Sequence, residues 1–319
     1  MDLSIIIPVY NAIPLLERCL DSIFNQTTQY SYEIILVDDG STDSSVEVIK
    51  ARKEPNIILY QQANTGPAAA RNKGVELAKG KYVTFIDADD YWNDGYIEKT
   101  VCFLEEHQEC VAVSVGCKSI SFGKPARYCP YNLNDESWGT PFVLKHFYEY
   151  WAEYCVPGTC STTLRTEDVK KSGGMRRDLR VTEDYEFWLY LATFGQWGII
   201  PQVLYVSDGG AVTQTQGHIK KDIERAKKSP TLLEFEKRIV TRLSAKQTIH
   251  YQKARGRVSR VLTYSHIITN RFALGRSEAK KYGKYFPKDK IGRLMNIAKH
   301  TSLTWWCFAY LLRWREYHR

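Results

Sequence analysis

The sequence predicts an α/β protein, a mainly parallel sheet flanked by helices, followed by a helical, basic C-terminal extension. Three observations carry that reading. Over the first 120 residues β-branched runs alternate with helix-period segments, a polar turn rich in Asp, Asn or Gly follows each of the first four runs, and the charge balance changes sign near residue 216. At 319 residues, 44% hydrophobic and 25% charged, the chain has material for one large domain plus an appendage, and it is neither disordered nor a small disulfide scaffold.

Residues 3–9, 33–37, 56–60, 81–86 and 111–115 read as strands. Between the first two, Ile13, Leu16, Leu20, Ile23 and Phe24 form an apolar stripe on one helix face. Thr42 is positioned to cap a second helix, and residues 66–78 supply a third that stops at Gly80. Strand–helix–strand repetition of this kind buries both faces of a parallel sheet and puts ligands at the carboxyl ends of the strands. Those ends carry Pro8-Val9-Tyr10-Asn11, Asp38-Asp39-Gly40-Ser41, Asn64-Thr65-Gly66 and Asp87-Ala88-Asp89-Asp90. Further on, residues 122–138 are turn-rich, 142–151 have a helical pattern, 160–164 read as a short strand, and Thr182 is positioned to cap a helix over 183–194. Beyond Gly217 the pattern is helical, broken at Pro230 and Pro287, so the expected domains are 1–216 and 217–319.

Residues 217–319 hold 25 Lys and Arg against 7 Asp and Glu, a balance of +18, whereas residues 1–216, with 19 against 29, carry −10. A basic extension points to an anionic partner, and no nucleic-acid motif accompanies it. The longest apolar run, residues 305–312, falls far short of the ~20 residues a membrane span needs. Met1-Asp2-Leu3-Ser4 leads into a strand without a basic n-region or cleavage site, which predicts a cytoplasmic chain. The eight cysteines form no C-x-x-C pair, so neither zinc nor a disulfide framework is expected.

Two carboxylates one residue apart at a strand end, Asp87 and Asp89, point the same way and suit Mg²⁺ or Mn²⁺ held together with phosphate oxygens. The plainer reading is that Asp89, Asp90 and Asn93 cap the next helix. Asp39 is either a turn residue or an acceptor for a nucleobase ring N–H. The small residues from Gly66 to Gly74 either admit a ligand to the backbone, with Arg71 toward a diphosphate, or allow close helix packing. An aspartate-nucleophile phosphatase also begins D-x-D after a strand, but Tyr91 stands where it needs Thr or Val.

Taken together and in order, I5-I-I-P-V-Y-N11, V37-D-D-G-S-T-D43, N64-T-G-P-A-A-A-R-N-K-G74, F85-I-D-A-D-D90 and T182-E-D-Y-E-F-W-L189 resemble the family 2 glycosyltransferases, over about residues 3–215. The resemblance implies a GT-A fold with a Rossmann-like sheet. It also implies a metal-dependent inverting enzyme that moves a sugar from a nucleotide donor, UDP-linked, to a saccharide or polyprenyl-linked acceptor in bacterial surface-polysaccharide synthesis. Carried across residue by residue, Pro8, Tyr10 and Asn11 line the nucleotide site, Asp39 meets uracil, Gly66 and Arg71 approach the ribose or diphosphate, and Asp87 meets the ribose. Asp89 then binds Mn²⁺ or Mg²⁺, and Asp184 is the catalytic base. Many members carry a His after the last strand; here Ser207-Asp208-Gly209-Gly210 stands there, leaving Asp208 as a substitute ligand and His218 further along. A competing reading makes the chain an inactive GT-A domain that binds an anionic membrane surface through its tail. The aromatic residues between Trp305 and Tyr317, with basic neighbours, suit the inner face of the cytoplasmic membrane.

Overall fold

The computed structural model describes residues 1–121, 124–129, 139–154, 158–179, 181–208 and 223–317. Most of the turn-rich stretch 122–138, the Gly209–Gly210 pair and His218 lie outside them. The chain divides into two compact units. The first comprises Met1–Tyr150, Tyr154–Met175 and Tyr190–Thr213, and the second Trp151–Glu153, Arg176–Leu189 and Gln214–Arg319.

The first unit is built on one mixed sheet. Its strands are β1 (Leu3–Val9), β2 (Tyr32–Asp38), β3 (Ile57–Gln61), β4 (Tyr82–Phe85), β5 (Tyr91–Trp92), β6 (Cys110–Ser121), β7 (Lys124–Cys129), β8 (Phe142–Val143), β9 (Thr162–Arg165) and β10 (Gln196–Asp208). They lie in the order β3-β2-β1-β4-β9-β6-β10-β5, with β7 beside β6 and β8 beside β10. Strands β1–β4, β6 and β10 share one direction; β9, wedged between β4 and β6, and the short β5, β7 and β8 run against it. The sheet is thus mainly parallel, as expected.

Helices cover it. In α1 (Ile13–Phe24), Leu16, Cys19, Leu20 and Ile23 are buried, while Ile13 at the helix start is exposed, so the stripe sits slightly rotated from the one read in the sequence. In α3 (Pro67–Leu77), Ala68, Ala69, Ala70 and Gly74 are buried. A Cβ on Gly74 would stand 2.3 Å from the Ile6 side chain, so here the small residues do serve close packing of helix on strand. Helix α2 (Ser45–Ala51) is entered through Ser44, without a side-chain cap, rather than from Thr42, whose N–H and hydroxyl face Asn11 instead. The first unit also holds α4 (Tyr96–Glu106), most of α5 (Phe147–Tyr154) and α6 (Thr166–Ser172), whereas α7 (Glu183–Leu191) belongs mostly to the second unit. The helical pattern read from 142 begins only at 147, because Phe142 and Val143 pair with Ile199 and Gly198 of β10. Sheet pairing there overrides local periodicity.

The second unit is helical: α8 (Leu232–Glu236), α9 (Ala245–Ile268), α10 (Phe272–Tyr282), α11 (Lys290–Ala298) and α12 (Ser302–Tyr317). Capping boxes at Thr231–Glu234 and Ser244–Gln247 start α8 and α9, and Asp289 accepts the Gly292 N–H at 2.6 Å to start α11. Gly256 of α9 lies so close to the Tyr285 carbonyl that a Cβ would fall 1.7 Å from it. Fully buried Glu186 of α7 is held by a fork of two bonds from Arg238, 2.5 and 2.6 Å. Burial raises the Glu186 carboxyl above its ordinary range, and the Arg238 bonds pull it back.

Candidate functional site

Strands β1, β2 and β3 end in register, with Val9 beside Asp38 and Asp38 beside Gln61, so the turns at residues 10–11, 39–40 and 62–66 meet at one sheet edge. Asn11 takes φ +51°, a left-handed conformation that Asn tolerates; its Oδ1 accepts the Thr42 N–H at 2.8 Å and its own N–H donates to Ser41 Oγ at 3.1 Å. Tyr10 beside it is exposed, and Pro8 lies one residue before the end of β1. Gly40 and Gly66 also need positive φ, +77° and +95°, which lets the two turns close on each other.

Asp39 is buried between those turns. Its carboxylate accepts the Gln62 side-chain amide at 2.8 Å, the Thr65 N–H at 2.9 Å and the Gly66 N–H at 2.8 Å. The residue named as a nucleobase acceptor is therefore also the anchor of the loop that starts α3. Replacing Asp39 with Ala should weaken UDP binding by roughly 1–3 kcal/mol, the scale for losing charged hydrogen bonds. Calorimetry showing undiminished UDP affinity would reduce Asp39 to a turn residue.

Arg71, buried on the second turn of α3, donates from Nη2 to Asp87 Oδ1 at 2.5 Å. Asp87 is partly exposed at the end of β4, and its Oδ, a carboxylate oxygen of Asp90 and the Cys160 sulfur lie within 4.8 Å of one another. Asp90 is buried and accepts the Tyr205 hydroxyl at 2.5 Å and the Asp208 N–H at 3.0 Å. Burial, then the neighbouring charges of Asp87 and Asp89, pushes its carboxyl up to about 7 despite those bonds. Burial and the Asp87 charge likewise raise Asp89. The Cys160 thiol is pushed up by burial and by Asp87 and Asp90, so it stays neutral.

This donor set fits a divalent cation. Asp89 and Asp90, whose ionised forms are disfavoured by burial and then by neighbouring negative charge, gain from a hard cation among the carboxylates, with oxygen rather than sulfur as ligand. Asp89, the expected ligand, is adjacent to the Asp87–Asp90–Cys160 group without being part of it. Asp208 ends β10, and its carboxylate pairs with Arg18 Nη1 at 2.6 Å. Arg18 reaches from α1, also donates from Nη2 to the Asp89 carbonyl at 2.7 Å, and stacks over Tyr91 at 4.8 Å. To act as a ligand, Asp208 would exchange that guanidinium for the cation.

Sequence reasoning gave no role to Arg18, Cys160 or Tyr205. Asp90 was readable from its place in the acidic triplet, whereas Arg18 looked like any surface cation on an amphipathic helix. Asp184 lies on the first turn of α7, in the second unit, with Glu183 and Glu186. There the Thr182 carbonyl, not its hydroxyl, receives the Glu186 N–H at 3.0 Å, and the buried hydroxyl has no hydrogen-bond partner among the described residues, which corrects the expected side-chain cap. The helix ends at Leu191, earlier than Phe194.

Residues 4–168, just over half of the chain, match the model of the family described as Glycosyl transferase family 2. The poly(ribitol-phosphate) beta-glucosyltransferase of Bacillus spizizenii is 41% identical over 118 residues, which is 35% of this chain and 19% of that protein. The minor teichoic acid biosynthesis protein GgaB of Bacillus subtilis is 30% identical over 226 residues, 67% of this chain and 24% of its own length. The chain thus spans well under half the length of these curated relatives. Among solved structures, S. aureus TarS 1–349 in complex with UDP-GlcNAc superposes with a TM-score of 0.63 at 17% identity, covering 99% of this chain and 89% of that one. Mannosyltransferase PcManGT from Pyrobaculum calidifontis, in complex with GDP-Man and Mn²⁺, gives a TM-score of 0.58 at 18% identity, covering 97% and 83%. The matched segment contains the strand ends that gather Asp39, Arg71 and the carboxylates of residues 87–90, and on that match the chain belongs to glycosyltransferase family 2, with the GT-A fold.

Proposed function

We propose that the chain is a metal-dependent inverting glycosyltransferase. It would take a UDP-linked sugar and transfer it to a hydroxyl of a saccharide or polyprenyl-linked acceptor, in surface-polysaccharide synthesis at the cytoplasmic face of the membrane. The observation that carries this reading is the convergence, on one sheet edge, of the Asp39-anchored loop, the Arg71–Asp87 pair and a carboxylate group crowded enough to favour a cation. Relatives named for teichoic acid synthesis support the polymer, and neighbours holding UDP-GlcNAc, or GDP-Man with Mn²⁺, support a nucleotide sugar and a metal.

In this reading Asp39 fixes the loop against which the base lies, and Arg71, balanced by Asp87, turns its guanidinium toward the diphosphate. Asp89, with Asp87 and Asp90 beside it, would hold Mn²⁺ or Mg²⁺, which when bound would supply positive charge to stabilise the departing diphosphate. Asp184 accepts the acceptor hydroxyl's proton as the new C–O bond forms and the bond to the diphosphate breaks with its electron pair. A single displacement of this kind inverts the anomeric centre. The test is a panel of UDP-, GDP- and dTDP-sugars assayed for nucleoside diphosphate release with and without Mn²⁺. Metal-stimulated release from a UDP-sugar is expected, and no release from any donor would overturn the proposal.

A further inference from the structure

Helix α12 is apolar on two sides. One side, Trp305, Ala309 and Leu312, is buried within the helical unit, with Trp305 Nε1–H donating to the Phe272 carbonyl at 2.7 Å. The other side carries Leu303, Trp306, Tyr310, Trp314 and Tyr317, spaced 3, 4, 4 and 3 residues apart, and with Leu311 beside them each is between 47% and 74% exposed. Helix α11 continues the theme. Gly292, Met295 and Ala298 face inward, while Lys290, Arg293, Leu294 and Ile297 face out, with Ile297 70% exposed. Such a run of exposed Trp, Tyr, Leu and Ile on adjoining helices exceeds the scatter of single apolar residues normal on a soluble surface.

We propose that the outer faces of α11 and α12 form a docking surface for an anionic lipid bilayer, with the aromatic rings at headgroup depth and Lys290 and Arg293 on lipid phosphates. This deepens the membrane-surface reading above by naming the face and its chemistry. Charge selects the occupant. Residues 217–319 carry +18, so the same face of a second copy would set like charge against like, whereas an anionic bilayer complements it. The residue types agree, since Trp and Tyr favour the headgroup region and Lys and Arg can bury their stems while keeping their charges wet. Among the described residues no helix is long and apolar enough to cross a membrane, so the helices lie in the interface plane.

The test is flotation of the full chain with vesicles of phosphatidylcholine alone or mixed with phosphatidylglycerol, with UDP binding measured alongside. The native chain should float with the mixed vesicles. Combined Trp306→Ser, Tyr310→Ser and Leu311→Ser should lower its partition at least about tenfold, given the apolar area withdrawn. Combined Lys290→Glu and Arg293→Glu should lower it by a similar factor, with the loss mimicked by salt. UDP binding should be unchanged in both. If the native chain floats and both variants float equally well, the face is wrongly assigned while the membrane reading stands. If the native chain does not float, both fall. A dimer in sedimentation that the aromatic variant dissociates would overturn the proposal in favour of self-association. Should the aromatic variant lose its helical circular dichroism, the charge-reversal pair, at exposed positions, decides alone.

Discussion

Replacing Asp89 with alanine should abolish sugar transfer and the Mn²⁺-dependent part of UDP binding together, with kcat/KM falling at least ~10³. Asp89 lies between Asp87 and Asp90 in sequence, burial and neighbouring negative charge disfavour the ionised forms of Asp89 and Asp90, and a cation would offset that cost. The substitution removes the carboxylate but keeps the backbone carbonyl to which Arg18 donates, so the anchor between α1 and the β4 turn survives. A fold defect is therefore not expected, and unchanged thermal unfolding would confirm that. UDP titrations with and without Mn²⁺, run beside turnover, check the outcome. A variant with undiminished activity and the same metal response would move the cation to the Asp87–Asp90 pair, making Asp90→Ala the next substitution.

Asp184→Asn should leave donor affinity nearly intact and lower kcat at least ~10², because the amide matches the carboxylate in shape but cannot take a proton. The first turn of α7 favours an anion at this position through the exposed N–H groups of the helix start. The contrast with Asp89 is diagnostic: one variant loses the metal-linked binding, the other only the chemical step. If Asp184→Asn loses donor binding and retains normal turnover at saturation, the base lies elsewhere. Glu183, mostly buried and 4.0 Å from Arg225, then becomes the next candidate.

Much of the strand-end architecture was legible because buried parallel strands read as unbroken apolar runs, and each is followed by a turn of polar residues or glycine. Ile5, Ile6 and Ile7 are fully buried, as are Ile34, Ile35 and Leu36, and the turns after them carry Asn11 and Asp39. Strand β9 was only half legible, since Thr162 and Thr163 look like surface residues. They are fully buried, their hydroxyls satisfied by Ser114 of the neighbouring β6 and by Thr100 of α4, at 2.8 and 3.1 Å. Arg18 was illegible for a different reason: nothing local marks a helix cation whose partners, Asp208 and the Asp89 carbonyl, lie 190 and 71 residues away. The double-sided nature of α12 was hidden too, because composition alone does not say which of two apolar faces is covered.

The wedged position of β9 governs the order in which the sheet can close during synthesis. Strands β1 to β4 and their helices are complete by residue 85, yet the neighbour that closes the outer edge of β4 is made only at Thr162–Arg165, and β6 joins the sheet through that same strand. A nascent chain halted between those points would carry a paired, apolar half-sheet whose β4 edge is open as well as the β3 edge, and an open edge is the kind that recruits foreign strands. The four residues Thr-Thr-Leu-Arg thus act as a late closure, and the vulnerable interval in the life of this chain is the stretch of translation that precedes them.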